Sequence, residues 1–283
     1  MRNPAVLLLF ALPVIPGCSA TQPSPEPPAS QISSKAVAAP EMNQSIHAAV
    51  LAETDSPTPN ISTAELAEIL ARGSAIVLDT RPRREWAISH IPTALNVAPK
   101  PGVPMSQYVS DVAEIERLVG GDKTKSLILY CNGPFCGKSK RLSQELLSAG
   151  FMDVRRYQLG APVWRALGGV MVTEPEGARY ILENDRTAIW IDAREAEEFA
   201  SGSLSAARNI PRSRVLPGKD VGEIKAAKDD GRLPMEDHNT RIVVVGHDPE
   251  QARAVAEAIA REAFHNVSYF PGSYTELAAV ARP

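Results

Sequence analysis

A chain of 283 residues with 44% hydrophobic content carries enough apolar material for one large or two medium cores. Its formal net charge is −3, acidic and basic residues are interspersed, and only 5% of residues are aromatic. That argues against a nucleic-acid footprint and against a base-stacking surface.

The N-terminus reads as a targeting segment. Met1-Arg2-Asn3 gives a short positive start, and Pro4 to Val14 is apolar but too short to span a bilayer. Ile15-Pro16-Gly17-Cys18 resembles a bacterial lipobox, with Pro16 departing from the usual small or hydroxyl residue. The expectation is a signal peptide over residues 1–17 and lipidation at Cys18. Ser19 is not the acidic residue that retains lipoproteins in the inner membrane. The expectation is a mature chain lipid-anchored in the cell envelope and facing the periplasm, with the outer membrane favoured over the inner, or secreted if Cys18 is not lipidated. Disulfides are permitted there. Residues 18–56 hold many prolines with Ser, Ala, Gln and Thr, and read as a flexible linker. A short helix is expected over His47 to Leu51.

From residue 57 onward the chain repeats itself. Ala75 to Ala98 aligns without a gap on Ala188 to Pro211, setting Asp79 on Asp192, Arg81 on Arg194, Glu85 on Glu198, Trp86 on Phe199 and Asn96 on Asn209. Ser62 with Glu65, and Thr173 with Glu176, fit a capping box that opens each copy with a helix. Each copy then reads as strand, turn and helix, short strand, helix, buried strand, loop, helix and last strand. Such alternation predicts an α/β fold with a parallel sheet flanked by helices. The predicted copies are residues 57–173 and 174–283.

The buried strand of the first copy ends at Tyr130, and Cys131 opens the loop Asn132-Gly133-Pro134-Phe135-Cys136-Gly137-Lys138. A cysteine between a strand end and a helix N-terminus stands where free N–H groups and the helix dipole favour a thiolate. Lys138 and Arg141 are positioned to attract an anion. The following helix, Lys138 to Ala149, is expected to bury Leu142, Leu146 and Leu147 and to end at Gly150. The second copy has Gly246-His247-Asp248 instead, carries no cysteine and is two positions shorter across this region. His247 has no readable partners for a metal site.

Taken jointly and in order, Asp79-x-Arg81 with Glu85-Trp86, Ser89-His90-Ile91-Pro92-Thr93-Ala94-Leu95-Asn96, and Tyr130-Cys131 resemble the signatures of rhodanese domains. Ser89 and Thr93 replace two glycines of the second signature. The resemblance covers about 57 to 283 and implies two small α/β domains, with sulfur transfer at Cys131. The thiolate would take the outer sulfur of a thiosulfate-like anionic donor and pass it, as a persulfide, to a thiol or cyanide. Backbone groups of Asn132 to Lys138 would cradle the charged sulfur, and no cofactor or metal is implied. Cys136 is a second nucleophile candidate, a resolving thiol or a chance loop residue, and a disulfide to Cys131 is sterically open. Asp79, Arg81, Glu85 and Trp86 read as structural. His90 reads as a backbone partner more than a general base, and Trp164 as a residue near the loop mouth. Tandem sulfurtransferases of the family carry the inert copy first; here the order is reversed. Copy two is expected to cover part of the loop of copy one. Phosphatases of this fold need C-x5-R, and Gly137 stands at the arginine position. The alternative to an enzyme is a membrane-tethered sulfur-binding, redox or protein-interaction module.

Overall fold

The computed structural model describes residues 48, 50, 51, 56–98 and 112–281. The expected signal segment, Cys18 and nearly all of the linker lie outside the described residues. Residues 48, 50 and 51 are helical, and the Val50 carbonyl accepts a hydrogen bond from Asn60 Nδ2.

The first copy opens with α1 (Thr63–Arg72), where Ser62 Oγ accepts the Glu65 N–H at 3.1 Å. It continues through β1 (Ile76–Asp79), α2 (Arg83–Ile88), β2 (Leu95–Asn96), α3 (Val112–Leu118), β3 (Ser126–Tyr130), α4 (Gly137–Ser148), β4 (Asp153–Tyr157) and α5 (Gly160–Ala166). Its sheet has the order β2-β1-β3-β4, and every pair is parallel. β3 lies inside this sheet, and Leu127, Ile128, Leu129 and Tyr130 are all buried. Alternate residues of β3 point to opposite faces. Ile128 and Tyr130 therefore pack with Leu66 and Trp164 on one side, while Leu127 and Leu129 pack with Leu142, Leu146 and Phe151 on the other.

The second copy comprises β5 (Met171–Val172), α6 (Pro175–Asn184), β6 (Ile189–Asp192), α7 (Ala196–Ser201), β7 (Arg208–Asn209), α8 (Gly222–Asp229), β8 (Ile242–Gly246), α9 (Pro249–Ala260), β9 (Val267–Ser273) and α10 (Tyr274–Val280). Its order is β5-β9-β8-β6-β7, again parallel throughout. The fold class read from the sequence is thus the one observed: two α/β units in tandem, each a parallel sheet flanked by helices.

Two local expectations need correction. Strand β5, which a boundary after Thr173 leaves with the first copy, bonds to β9 of the second sheet. Its other edge exchanges two backbone hydrogen bonds with His90. A two-residue strand has no periodicity to read. The expected capping box at Thr173 also does not form. Glu174 is the N-cap of α6, with Pro175 at the first helical position. The Thr173 hydroxyl instead bonds to the Ile88 carbonyl and to Ser268, and Glu176 pairs with Arg83 at 2.8 Å. Tertiary contacts between the copies claim both side chains. The seam is closed further by Glu174 N–H donating to the Ala87 carbonyl.

Candidate functional site

Residues 131–136 connect β3 to α4, and Cys131 and Cys136 are joined by a disulfide with Cα atoms 6.2 Å apart. Cys131 is 3% exposed, while Cys136 is partly exposed. Gly133, at φ 116°, lets the loop fold back so that its carbonyl accepts the Cys136 N–H at 3.0 Å. Cys136 is also the N-cap of α4, and its side chain makes no capping hydrogen bond. The first N–H groups of α4 therefore receive no side-chain cap from that position.

The loop is tied down from several directions. Thr80 donates both its N–H and its hydroxyl to the Tyr130 carbonyl. Ala161 N–H donates to the Cys131 carbonyl at 3.1 Å. Gln158 Nε2 donates to the Pro134 carbonyl at 2.6 Å, while its Oε1 accepts from the fully buried Arg156 at 3.0 Å. Gly160, at φ 70°, presses against the loop so closely that a Cβ there would lie 2.4 Å from the Cys131 carbonyl oxygen and from Gly133 N.

Beneath Cys131, Asp79 accepts a two-pronged contact from Arg81, with Nε to Oδ1 at 3.0 Å and Nη2 to Oδ2 at 2.6 Å. Arg81 Nη2 also reaches the Ser89 carbonyl, and the Tyr130 hydroxyl donates to Asp79 Oδ2. Burial works against the Arg81 charge, but Asp79 more than offsets it and holds the guanidinium pKa above its ordinary value. Burial, then the Asp79 charge, push the Tyr130 hydroxyl well above its usual range, so it stays a donor. The second copy repeats this arrangement at Asp192, Arg194 and the Gly202 carbonyl. Val245 stands where Tyr130 does, and Ser203 Oγ supplies the missing donor to Asp192 at 2.7 Å. The structural reading of Asp79 and Arg81 therefore accounts for their geometry in both copies.

The other predicted positions divide clearly. Asn132 Nδ2 donates to Glu85 Oε2 at 2.6 Å, so Glu85 reaches the loop as well as opening a helix. Phe135 is 99% exposed at the loop tip and encloses nothing. Gly137 and Lys138 open α4. Arg141 lies near Glu145, at 3.7 Å, rather than standing ready for an anion. His90 is buried in the seam. It stacks on Trp86, and its Nδ1 lies 3.0 Å from the Trp86 carbonyl. Burial lowers its pKa from 6.5 to about 4, against the raising effect of that carbonyl. Trp164 is buried, donates to the Val170 carbonyl at 3.0 Å and lines a cavity of about 600 Å³. Arg253, Glu257 and Arg261 of the second copy line it too; the Cys131 loop does not. The cavity between the copies is thus apart from the cysteines. In the second copy, β8 passes to α9 through residues 247–248 alone. Asp248 caps α9 at Gln251 N, and His247 Nε2 contacts Glu198 Oε1 at 2.6 Å.

Sequence reasoning missed Gln158 and Gly160. Both sit just past the last strand of the first copy. Nothing local shows that either meets a loop some twenty-five residues upstream.

The chain belongs to the rhodanese-like domain family, which matches residues 62–167 and 175–279. Among curated proteins it is 30% identical, over 119 residues, to an HTH-type transcriptional regulator of Mycobacterium tuberculosis; the match covers 42% of this chain and 46% of the regulator. The chain therefore spans less than half the length of that relative. Among solved structures it is similar to a thiosulfate sulfurtransferase from Pseudomonas aeruginosa, with 21% identity, a TM-score of 0.32, and coverage of 78% of this chain and 44% of that one. It is also similar to SseA of Escherichia coli, described as a 3-mercaptopyruvate sulfotransferase, with 20% identity, a TM-score of 0.32, and coverage of 77% and 99%. Likeness at that level carries nothing about the reaction, and the fold rests on the family match and the two sheets.

Proposed function

We propose that this chain is a sulfurtransferase whose sulfur-carrying atom is Cys131 Sγ, with the first copy active and the second inert. The observation that carries the reading is the position of Cys131. It directly follows a central parallel strand and faces the N-terminus of α4, in a loop braced by Ala161, Gln158 and Gly160. The corresponding turn of the second copy, at Gly246, has neither thiol nor loop.

The disulfide is the resting form, and a thiol opens it by attacking the more exposed Cys136 sulfur, with Cys131 leaving as thiolate. That thiolate attacks the outer sulfur of a thiosulfate-like donor. The S–S bond of the donor breaks, sulfite leaves with the electron pair, and Cys131 holds a persulfide. A thiol or cyanide then takes the outer sulfur and returns the thiolate. The N–H groups opening α4 favour negative charge at this place.

The same reading has Cys18 lipidated and the tandem unit held off the outer membrane by the proline-rich segment, with the loop facing the periplasm. Its support is the Ile15 to Cys18 motif. The Cys131–Cys136 bond also favours a second reading, a tethered redox module that exchanges disulfides and moves no sulfur.

A single assay separates the two. Reduced protein receives thiosulfate and cyanide, and thiocyanate is measured. Turnover in wild type and its loss in Cys131→Ser supports sulfur transfer. The redox reading predicts no thiocyanate from either protein, with disulfide reduction retained by wild type.

A further inference from the structure

We infer that Cys136 is a resolving thiol. It discharges the Cys131 persulfide as hydrogen sulfide and leaves the Cys131–Cys136 disulfide behind. The inference rests on the proposed sulfur loading of Cys131 and adds a second outcome for the loaded sulfur.

Three observations carry it. First, the Cys136 sulfur reaches Cys131 Sγ to bonding distance with the loop closed, so no rearrangement of the scaffold is needed for attack on the inner sulfur. Second, the turn that delivers it is built into the backbone. Gly133 adopts a φ of 116°, and its carbonyl fixes the Cys136 N–H. The Cys136 side chain makes no capping hydrogen bond here, and its sulfur is joined to Cys131 alone. Third, the two sulfurs differ in access. Cys131 is buried and Cys136 is partly exposed. An incoming thiol therefore meets Cys136 first, and Cys131 is the sulfur that leaves and is ready to load again.

The step balances without an outside oxidant. Cys136 thiolate attacks Cys131 Sγ of the persulfide, the new S–S bond forms, and the bond from Cys131 Sγ to the outer sulfur breaks. The outer sulfur leaves as HS⁻ with the electron pair. The sulfane sulfur is reduced to sulfide, and the two cysteines are oxidised to the disulfide. A dithiol reductant then returns both cysteines to thiols. The net reaction is sulfide release from a thiosulfate-type donor at the expense of a dithiol. The disulfide seen in the structure is the product of each turnover by this route and the state that the reductant must find.

The test uses full-length wild-type protein and Cys136→Ser, both reduced, freed of reductant and kept anaerobic. Each receives thiosulfate, and intact mass and free sulfide are followed. Wild type is expected to release one sulfide per chain and to end at the disulfide mass, two hydrogens below the reduced chain. Cys136→Ser is expected to gain the mass of one sulfur atom, to hold it and to release no sulfide. Cys136→Ala repeats the result with a side chain that cannot hydrogen-bond. If wild type and both variants load one sulfur and hold it equally long, the resolving role is wrong while sulfur loading stands. If none of the three gains a sulfur and wild type releases no sulfide, the loading reading fails, and this inference fails with it.

Discussion

The missing Cβ of Gly160 is what lets the Cys131 carbonyl oxygen lie where it does; a Cβ would stand 2.4 Å from that oxygen. Gly160→Ala would bring a left-handed φ that costs about 1–2 kcal/mol for an L-residue. Overlap with three backbone atoms of the loop adds to this. The expected result is a lower thermal midpoint and a fall of at least about tenfold in sulfur transfer, since about 1.4 kcal/mol of lost transition-state stabilisation already corresponds to that factor. Thermal melts and the thiocyanate assay check both, and unchanged values would mean that the loop does not rest on Gly160.

Tyr130 holds two partners, donating to Asp79 and accepting the Ile91 N–H at 3.1 Å. Tyr130→Phe keeps the ring and leaves a buried N–H without its acceptor. The expected loss of stability is about 1–3 kcal/mol. Chemical denaturation measures it. The second copy manages with Val245 because Ser203 supplies a donor to Asp192, and no such residue stands beside Asp79, where His90 occupies the matching place.

Buried His90 makes the seam acid-sensitive. Its folded pKa, lowered to about 4, lies below its ordinary 6.5, so the unfolded chain binds the proton more readily. Its contribution is fully present above pH 6.5 and is lost as pH falls from 6.5 toward 4, by up to about 3 kcal/mol. Glu174, 3.6 Å away, has its pKa raised by burial and lowered by Arg83, with a net rise, and works in the opposite direction. Denaturation of wild type and His90→Gln across this range should show the steeper acid loss in wild type. Parallel curves would remove His90 from the account.

Gly177, in α6, faces Ala87 of α2, and a Cβ there would lie 2.0 Å from the Ala87 carbonyl oxygen. An alanine inside a helix normally gains about 1 kcal/mol over glycine. Here the overlap is with backbone that cannot swing aside, so Gly177→Ala should destabilise the protein and speed proteolysis near residues 168–175. A more stable protein would show that α2 and α6 do not meet this closely.

Much of this was legible in the sequence. The two copies could be read because β1 with β6, and β3 with β8, keep the same buried apolar runs, and Asp-x-Arg keeps the same pairing. Cys131 could be read because a strand end and a helix start are both local signals. The supports of the loop could not. Gln158 is an ordinary polar residue until the fold carries it to the Pro134 carbonyl. Thr173 satisfied a capping pattern, but its hydroxyl had better partners in Ile88 and Ser268. Spacing permitted the disulfide without deciding it; the turn at Gly133 decides it.

The central claim is that sulfur loads on Cys131. Peptide mass mapping of reduced, thiosulfate-treated Cys136→Ser tests it most directly, because that variant cannot close the disulfide. The account predicts one added sulfur, on the peptide containing Cys131, and none in Cys131→Ser. A sulfur found elsewhere, or equal loading of Cys131→Ser, would contradict it.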